Sequence, residues 1–315
     1  MLRRPLPTPE DPGHLADALG DLVGLDATHA VVETAVGPVR VELAGVVAAR
    51  LVEPSTPDVL ALEQVAARGW RAAEVQESVD GWILRANGGV TGRANTALAL
   101  RTPKRPLAEA VADTRAWYAA RGLPLGITVP LPARSLLDGG LEEYVGLQAS
   151  LEDDVHVFAA RVDTLLAAAP EPVAAVGIAD APDARWFAVH REGRTAADPV
   201  MQDLLRRHDH AGFASVRSGD DAVAIGRAVV DDAPVGRDGR PGARWLGITG
   251  LDVAPDARRR GLARTVLRAL WAWGAEQGAT RSYLQVASGN QPAIRLYLQA
   301  GYWHHHDYRY RRDPA

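Results

Sequence analysis

Residues 245–277 read WLGITGLDVAPDARRRGLARTVLRALWAWGAEQ, and no other stretch restricts the fold as much. Residues 245–255 are apolar and β-prone until Pro255 stops them. Apolar positions then recur at Leu262, Ala263, Val266, Leu267, Leu270, Trp271 and Gly274, with Arg264 and Arg268 on the other side. This three-and-four spacing belongs to a helix with one buried face. The segment therefore predicts a strand (244–253), a tight loop and a helix (260–277). The first amides of a helix have no partners inside it, and the helix dipole adds partial positive charge at that end. Gly261 removes a side chain there and Ala263 is nearly as small, so a phosphate can approach. Arg258, Arg259 and Arg260 raise the local potential further. The loop lacks both the GK[ST] of a P-loop and the GxGxxG of dinucleotide folds.

An internal repeat restricts the rest of the chain. AWYAARGLPLGITV (116–129) resembles AWGAEQGATRSYLQV (272–286), and LEEYVGLQASLEDDVHVF (141–158) resembles IRLYLQAGYWHHHDYRY (294–310). Gly122 and Gly278 stand 156 residues apart, and Gly146 and Gly301 stand 155 apart. A near-constant offset points to duplication of a whole domain. The first half reads as a helix (58–68), strands (72–78, 81–87, 92–101), a helix (107–121), a strand (124–130), a helix (133–144) and a strand (147–161). The second reads as a strand (173–179), helices (183–191, 198–207), strands (212–217, 221–230, 244–253), then helix 260–277, strand 281–287, helix 290–300 and strand 302–311. Ahead of them, residues 1–27 are rich in Pro, Gly and Asp and read as a loose leader with one short helix, and 28–53 as a small strand cap. The expected divisions are 1–56, 57–162 and 163–315.

Composition excludes several classes. The 315 residues carry a net charge of −4, which gives no overall basic footprint for nucleic acid. There are no cysteines, so disulfides, thiolate metal sites and an acyl-cysteine intermediate are excluded. No apolar run is long enough to span a membrane, and MLRRPLPTPEDPGH has no apolar signal core. A cytoplasmic protein without a membrane partner is expected, as a monomer or homodimer.

The loop pattern R-x-x-G-x-A (Arg258, Gly261, Ala263), preceded by Val253 and Pro255, resembles the pyrophosphate loop of the GCN5-related N-acetyltransferase (GNAT) superfamily. SGNQPAIRLYLQAGY (288–302) resembles the superfamily's N-x-x-A-x-x-x-Y-x-x-x-G-F/Y segment at Asn290, Ala293, Tyr297, Gly301 and Tyr302. The resemblance implies an α/β fold of two tandem GNAT-like domains, each a mixed, mostly antiparallel sheet flanked by helices, behind a small β-rich cap. It implies acetyl-CoA as cosubstrate in a split between strands 247–253 and 281–287. The backbone of Leu251 and Val253 would hold the pantetheine arm. Arg258, Arg259, Arg260, Gly261, Leu262 and Ala263 would hold the diphosphate. Asn290 suits a helix N-cap, or by resemblance contacts CoA. Tyr297 becomes the acid that protonates the departing thiolate, and a small-molecule or peptide amine attacks directly. A non-catalytic acyl-CoA sensor and a transferase of another acyl group are the alternatives.

The first half departs from this pattern. Its junction LRTPKRPLAEAV (100–111) has no glycine, and Glu142 stands where the offset places Tyr297. The general base is open. Asp252 is the one acid on its strand, facing away from Leu251 and Val253, and its readings are base, substrate positioner or loop cap. His208, His210 and the run His304-His305-His306 are rivals. Alternation puts His304 and His306 on one face and His305 on the other. The run lacks neighbouring ligands of fixed spacing, so no metal is expected. Trp70, Trp82, Arg93 and Asn95 belong to the first half, with structural or acceptor-lining roles.

Overall fold

Alternating half-buried residues organise the first fifty positions. The strands are β1 (Leu2–Pro5), β2 (Leu15–Ala18), β3 (Gly20–Leu25), β4 (His29–Thr34), β5 (Gly37–Glu42) and β6 (Ala48–Ala49). They form two small sheets, ordered β2-β1-β6 and β3-β4-β5. Ala18, Val32 and Val41 make a buried cluster, and Arg3 bridges to Asp17 through two bonds of 2.8 and 2.9 Å. The helix expected within 1–27 is replaced by β-strands among the described residues, since Pro, Gly and Asp interrupt every helical turn there. The computed structural model describes residues 1–6, 11, 13–34, 36–149, 154–235 and 242–314, in two units, Met1–Pro54 and Ser55–Ala315.

The second unit begins with α1 (Thr56–Gly69), capped by a reciprocal pair in which Ser55 and Asp58 each accept the other's backbone N–H. Next come β7 (Glu74–Glu77), β8 (Ile83–Ala86), β9 (Ala97–Leu98), α2 (Leu107–Ala119), β10 (Gly126–Leu131), α3 (Ser135–Glu143), β11 (Asp154–Arg161) and α4 (Val162–Ala168). The remainder is β12 (Gly177–Ala179), α5 (Ala184–Val189), α6 (Pro199–Arg206), β13 (Ala211–Ser218), β14 (Asp221–Asp232), β15 (Arg244–Val253), α7 (Leu262–Glu276), β16 (Arg281–Ala287), α8 (Gln291–Ala300) and β17 (Trp303–Arg312). Several expectations change: of strand 173–179 only β12 forms, and strand 147–161 begins only at β11. Of strand 92–101 only β9 forms, because Gly92–Ala94 is a 3₁₀ turn and the Asn95 carboxamide takes the N–H groups of Asn87 and Gly89. Helix α4 was not anticipated. Residues 150–153 of the expected strand 147–161 lie outside the described residues.

Among the described residues one eleven-stranded sheet runs through the whole unit, in the order β12-β13-β14-β15-β16-β11-β17-β10-β9-β8-β7. Outward from the central antiparallel pair β11–β17, both sides repeat one sequence: antiparallel, parallel, antiparallel, antiparallel. The repeat in the sequence is thus a repeat in the sheet. Its last strands are exchanged: β11 pairs with β16 of the second half, and β17 with β10 of the first. Segments 57–162 and 163–315 therefore share one sheet and lie in one unit.

Helices cover both faces. Val266, Leu267, Leu270 and Trp271 of α7 and Ile294 and Tyr297 of α8 bury against Leu246, Ile248, Leu284, Val286 and Phe158. On the opposite face Leu62, Val65 and Ala66 of α1 pack on Val155, Val157, Tyr283 and Tyr308. No described helix is long and apolar enough to cross a membrane.

Candidate active site

β15 and β16 run parallel from the Trp245–Arg281 pair to the Ile248–Leu284 pair, where their pairing stops. β15 continues to Val253, bonded to β14 alone. A bulge turns it. Thr249 pairs with Arg227 and Asp252 with Ile225, so Gly250 and Leu251 together oppose Gly226. Gly250 has φ +58, a left-handed conformation that glycine adopts without a Cβ clash. Past the bulge the Ala254 N–H donates to Val223 O at 2.9 Å. In an antiparallel ladder the neighbouring groups point the other way, so the N–H and C=O of Val253 face the opening between β15 and β16. The side chains of Leu251 and Val253 pack on the α7 face. Asp252 lies on the opposite face, where one carboxylate oxygen accepts the Arg191 N–H at 3.0 Å.

The loop that follows joins β15 to α7. Arg259 has φ +64 and Gly261 φ +81. A Cβ on Gly261 would meet Val173 no closer than 3.5 Å, so the backbone conformation, not crowding, calls for glycine. No side chain caps α7, and its first turn closes with Thr265 N–H to Gly261 O at 3.2 Å. The amides ahead of that bond have no intrahelical partner. The three arginines differ. Arg258 donates from Nε to Val253 O at 3.1 Å and pairs with Glu192 at 2.9 Å. Arg260 donates to Asp256 O at 2.7 Å. Arg259 makes no side-chain hydrogen bond among the described residues. Two of the three therefore brace the loop, and the Val253 carbonyl is already engaged.

Asn290 is the N-cap of α8, with Oδ1 accepting the Ala293 N–H at 3.3 Å. Tyr297, two turns on, is 9% exposed, and its hydroxyl has no hydrogen-bond partner among the described residues. Burial pushes its pKa up to about 12, Asp252 adds to the rise, and Arg93 opposes it. The phenol holds its proton at neutral pH. Tyr302, 6.1 Å away between ring centres, is instead a core residue: its hydroxyl is bonded to Trp271 Nε1 at 3.0 Å and Ser282 Oγ at 2.7 Å.

Sequence reasoning missed His190. It follows α5, stacks on Trp186 at 5.0 Å, and holds Thr195 Oγ1 through Nδ1 at 2.7 Å. Its Nε2 lies over the bulge, 3.1 Å from where a Cβ on Gly250 would stand. Burial pushes its pKa down to about 4, with Asp252 opposing. Arg191 and Glu192, next in the chain, have φ +54 and +55, an uncommon and strained conformation for such residues. Only a contact distant in sequence identifies His190, and no local motif marks it. Of the histidines weighed from sequence, His208 is bound to Asp231 at 2.8 Å, at the other end of β14, and the His304–306 run lies on β17. Arg93 does reach β16, donating to Gln285 O at 3.2 Å beside Trp70. Trp82 and Asn95 are structural: the Trp82 indole bonds to Arg101 O at 2.8 Å within the first-half core, and Asn95 closes its hairpin.

The matching junction of the first half, residues 100–111, has no glycine. Leu100 O, just past β9, accepts the Arg134 guanidinium at 3.0 Å. Glu142 is ion-paired to Arg311 at 2.8 Å. A hollow of about 350 Å³ lined by Ala73, Asn87, Gly88, Arg121, Val200 and Arg207, among others, shares no residue with the β15–β16 opening.

Comparisons with known proteins identify the family. Residues 56–311 match the family described as "Probable histone acetyltransferase Rv0428c C-terminal". The protein named "Probable histone acetyltransferase Rv0428c" of Mycobacterium tuberculosis is 32% identical over 306 residues, covering 94% of this chain and 88% of that one. "Uncharacterized N-acetyltransferase YobR" of Bacillus subtilis is 24% identical over 268 residues, 81% of this chain and 99% of its own. Among solved structures, a GCN5-related N-acetyltransferase from Kribbella flavida matches with a TM-score of 0.58 at 18% identity, over 84% of this chain and 97% of that one. A tandem GNAT protein from the clavulanic acid biosynthesis pathway matches with a TM-score of 0.51 at 14% identity, over 85% and 91%. The chain belongs to the Rv0428c C-terminal family within the GNAT superfamily, and it is an acyl-CoA-dependent N-acetyltransferase.

Proposed function

We propose that this enzyme moves acetyl from acetyl-CoA to a primary amine by direct attack, at the opening between β15 and β16. The carrying observation is that β15 leaves β16 beside a helix start that no side chain caps. The amides of residues 261–263 and the free Arg259 guanidinium would hold the diphosphate. The Val253 N–H and the Leu251 backbone would hold the pantetheine arm as an added strand. Arg258 and Arg260 keep the loop in shape. Asn290 fixes the start of α8 beside the opening. Acetyl-CoA supplies an activated thioester. Tyr297 delivers its proton to the departing sulfur, a role that suits a phenol held protonated with a free hydroxyl.

An alkylammonium group, with a pKa near ~10, must lose a proton before it attacks. Asp252 lies on the face of β15 opposite α7, and we assign it to receiving that proton through water or to positioning the amine. Its bond to the Arg191 N–H also ties down the loop after α5. The Mycobacterium relative is named for histones, so a lysine-bearing protein belongs on the acceptor panel beside small amines and peptide N-termini.

Replacing Tyr297 by Phe is expected to lower kcat about 100-fold while the KM for acetyl-CoA stays within about twofold. Steady-state kinetics on the best amine of the panel reads this directly. An unchanged kcat, with chemistry rate-limiting, removes Tyr297 from the reaction.

A further inference from the structure

One cluster of titratable groups takes no part in the chemistry above. His156 of β11 and His304 and Asp307 of β17 meet on the face where Phe158 packs with α8. His156 Nδ1 and His304 Nε2 each lie 2.7 Å from the same carboxylate oxygen, Asp307 Oδ1. All three atoms lie within 4.8 Å of one another.

Strand alternation alone does not produce this. Residues three apart in a regular strand point to opposite faces. In β17 the register shifts: Val157 pairs with His306 and Phe158 with His304, which leaves His305 as the extra residue of a bulge. The bulge turns His304 onto the face of Asp307. His306 stays on the other face, bonded to Glu63 at 3.0 Å. This corrects the expectation that His304 and His306 share a face. Bulges re-aim side chains and are enriched beside functional sites. His156 arrives as the cross-strand partner of Asp307. It stands far upstream in the sequence, so the histidine run by itself gave no sign of a third ligand.

The surroundings favour a cation. The rings of His156, His304 and Phe158 pack edge to face at 5.5–6.1 Å, which holds both imidazoles in place. The neighbouring Arg309 charge is offset by Asp154, at 2.6 and 2.9 Å, and by Asp138 at 3.2 Å. The side chains of His156, His304 and Asp307 are 29%, 48% and 38% exposed, so an ion can reach them and water can complete its shell.

We infer that His156 Nδ1, His304 Nε2 and Asp307 Oδ1 bind one divalent transition-metal ion of the zinc class, pinning β11 to β17 where the two halves of the sheet meet. Two imidazoles and one carboxylate suit Zn²⁺. Mg²⁺ and Ca²⁺ prefer sets of oxygen ligands. Tetrahedral bonds of about 2.0–2.1 Å place ligand atoms about 3.3 Å apart, so each 2.7 Å contact opens by about 0.6 Å. Each ring nitrogen that donates to Asp307 gives up its proton when it binds the ion, and the metal-bound imidazole carries its one proton on the other ring nitrogen.

The test uses the full chain without a histidine tag, stripped with a chelator and titrated with Zn²⁺ against a chromophoric chelator. One tightly held ion per chain is expected, with no competition from Mg²⁺. His156→Gln, His304→Gln and Asp307→Asn are each expected to weaken binding at least 10-fold. Saturating Zn²⁺ is expected to raise the Tm of the native chain and not that of His156→Gln. Circular dichroism checks that each variant is folded. Should one fail to fold, Co²⁺ added to the native chain gives the second reading, as visible absorption bands of a four- or five-coordinate site. Binding of equal strength in all three variants, no Zn²⁺ uptake by the native chain, or no protein-dependent Co²⁺ bands would each overturn the site.

Discussion

Burial keeps the His190 ring neutral at pH 7, with its pKa near 4 instead of the ordinary 6.5. Arg191 and Arg227 push the same way as burial, and Asp252 pushes back. The unfolded chain therefore takes up a proton on this ring before the native one does. Stability from this group is fully present above about 6.5 and is lost as pH falls toward about 4, by an amount on the order of 2–3 kcal/mol. Urea midpoints measured from pH 7.5 down to pH 4 should fall less steeply for His190→Gln than for the native chain. Equal slopes would show that the ring is not held neutral by the fold. At this scale the sequence marks candidate residues when they are neighbours in the chain, as Arg258, Gly261 and Ala263 are, and Asn290 and Tyr297. His190 meets Gly250 only through the fold, so nothing local marked it.

At the scale of elements, the bulge in β15 creates the opening. Gly250→Ala places a side chain at φ +58 and within 3.1 Å of His190 Nε2. The strain is expected to cost about 1–2 kcal/mol. Activity should suffer more: kcat/KM is expected to fall at least 10-fold, a ΔΔG‡ of at least about 1.4 kcal/mol even after folded protein is matched by circular dichroism. Kinetics and a melting curve on the same sample make the comparison, and a loss confined to stability would separate the bulge from the site. Helices were legible because their signals are local: the Ser55–Asp58 cap, the α7 stripe, the Asn290 cap. Strands were found mostly by alternation and lost where a side chain competes for the backbone, as Asn95 does. Bulges were not legible at all, because a bulge is a property of two paired strands. That is why the faces of His304 and His306 came out wrong.

For the whole molecule, duplication was visible as a constant offset, and the exchange of β11 and β17 was not, since an offset says nothing about pairing. The exchange has its own polar support. Arg311 on β17, buried, donates to both oxygens of Asp138 on α3 at 2.8 and 3.0 Å. Asp138→Asn leaves that guanidinium short of its partner and is expected to destabilise the chain by about 3 kcal/mol, read as a lower urea midpoint. A change under about 0.5 kcal/mol would show that Glu142 alone suffices. The proposed function rests on a second feature, the parting of β15 from β16 beside a helix start that no side chain caps. A crystal structure of the chain with coenzyme A tests this most directly. The diphosphate should lie within hydrogen-bond distance of the amides of residues 261–263, with the pantetheine arm between β15 and β16. Coenzyme seated at the β9–β10 junction, or a loop after Pro255 that stays empty at saturating coenzyme, would contradict it.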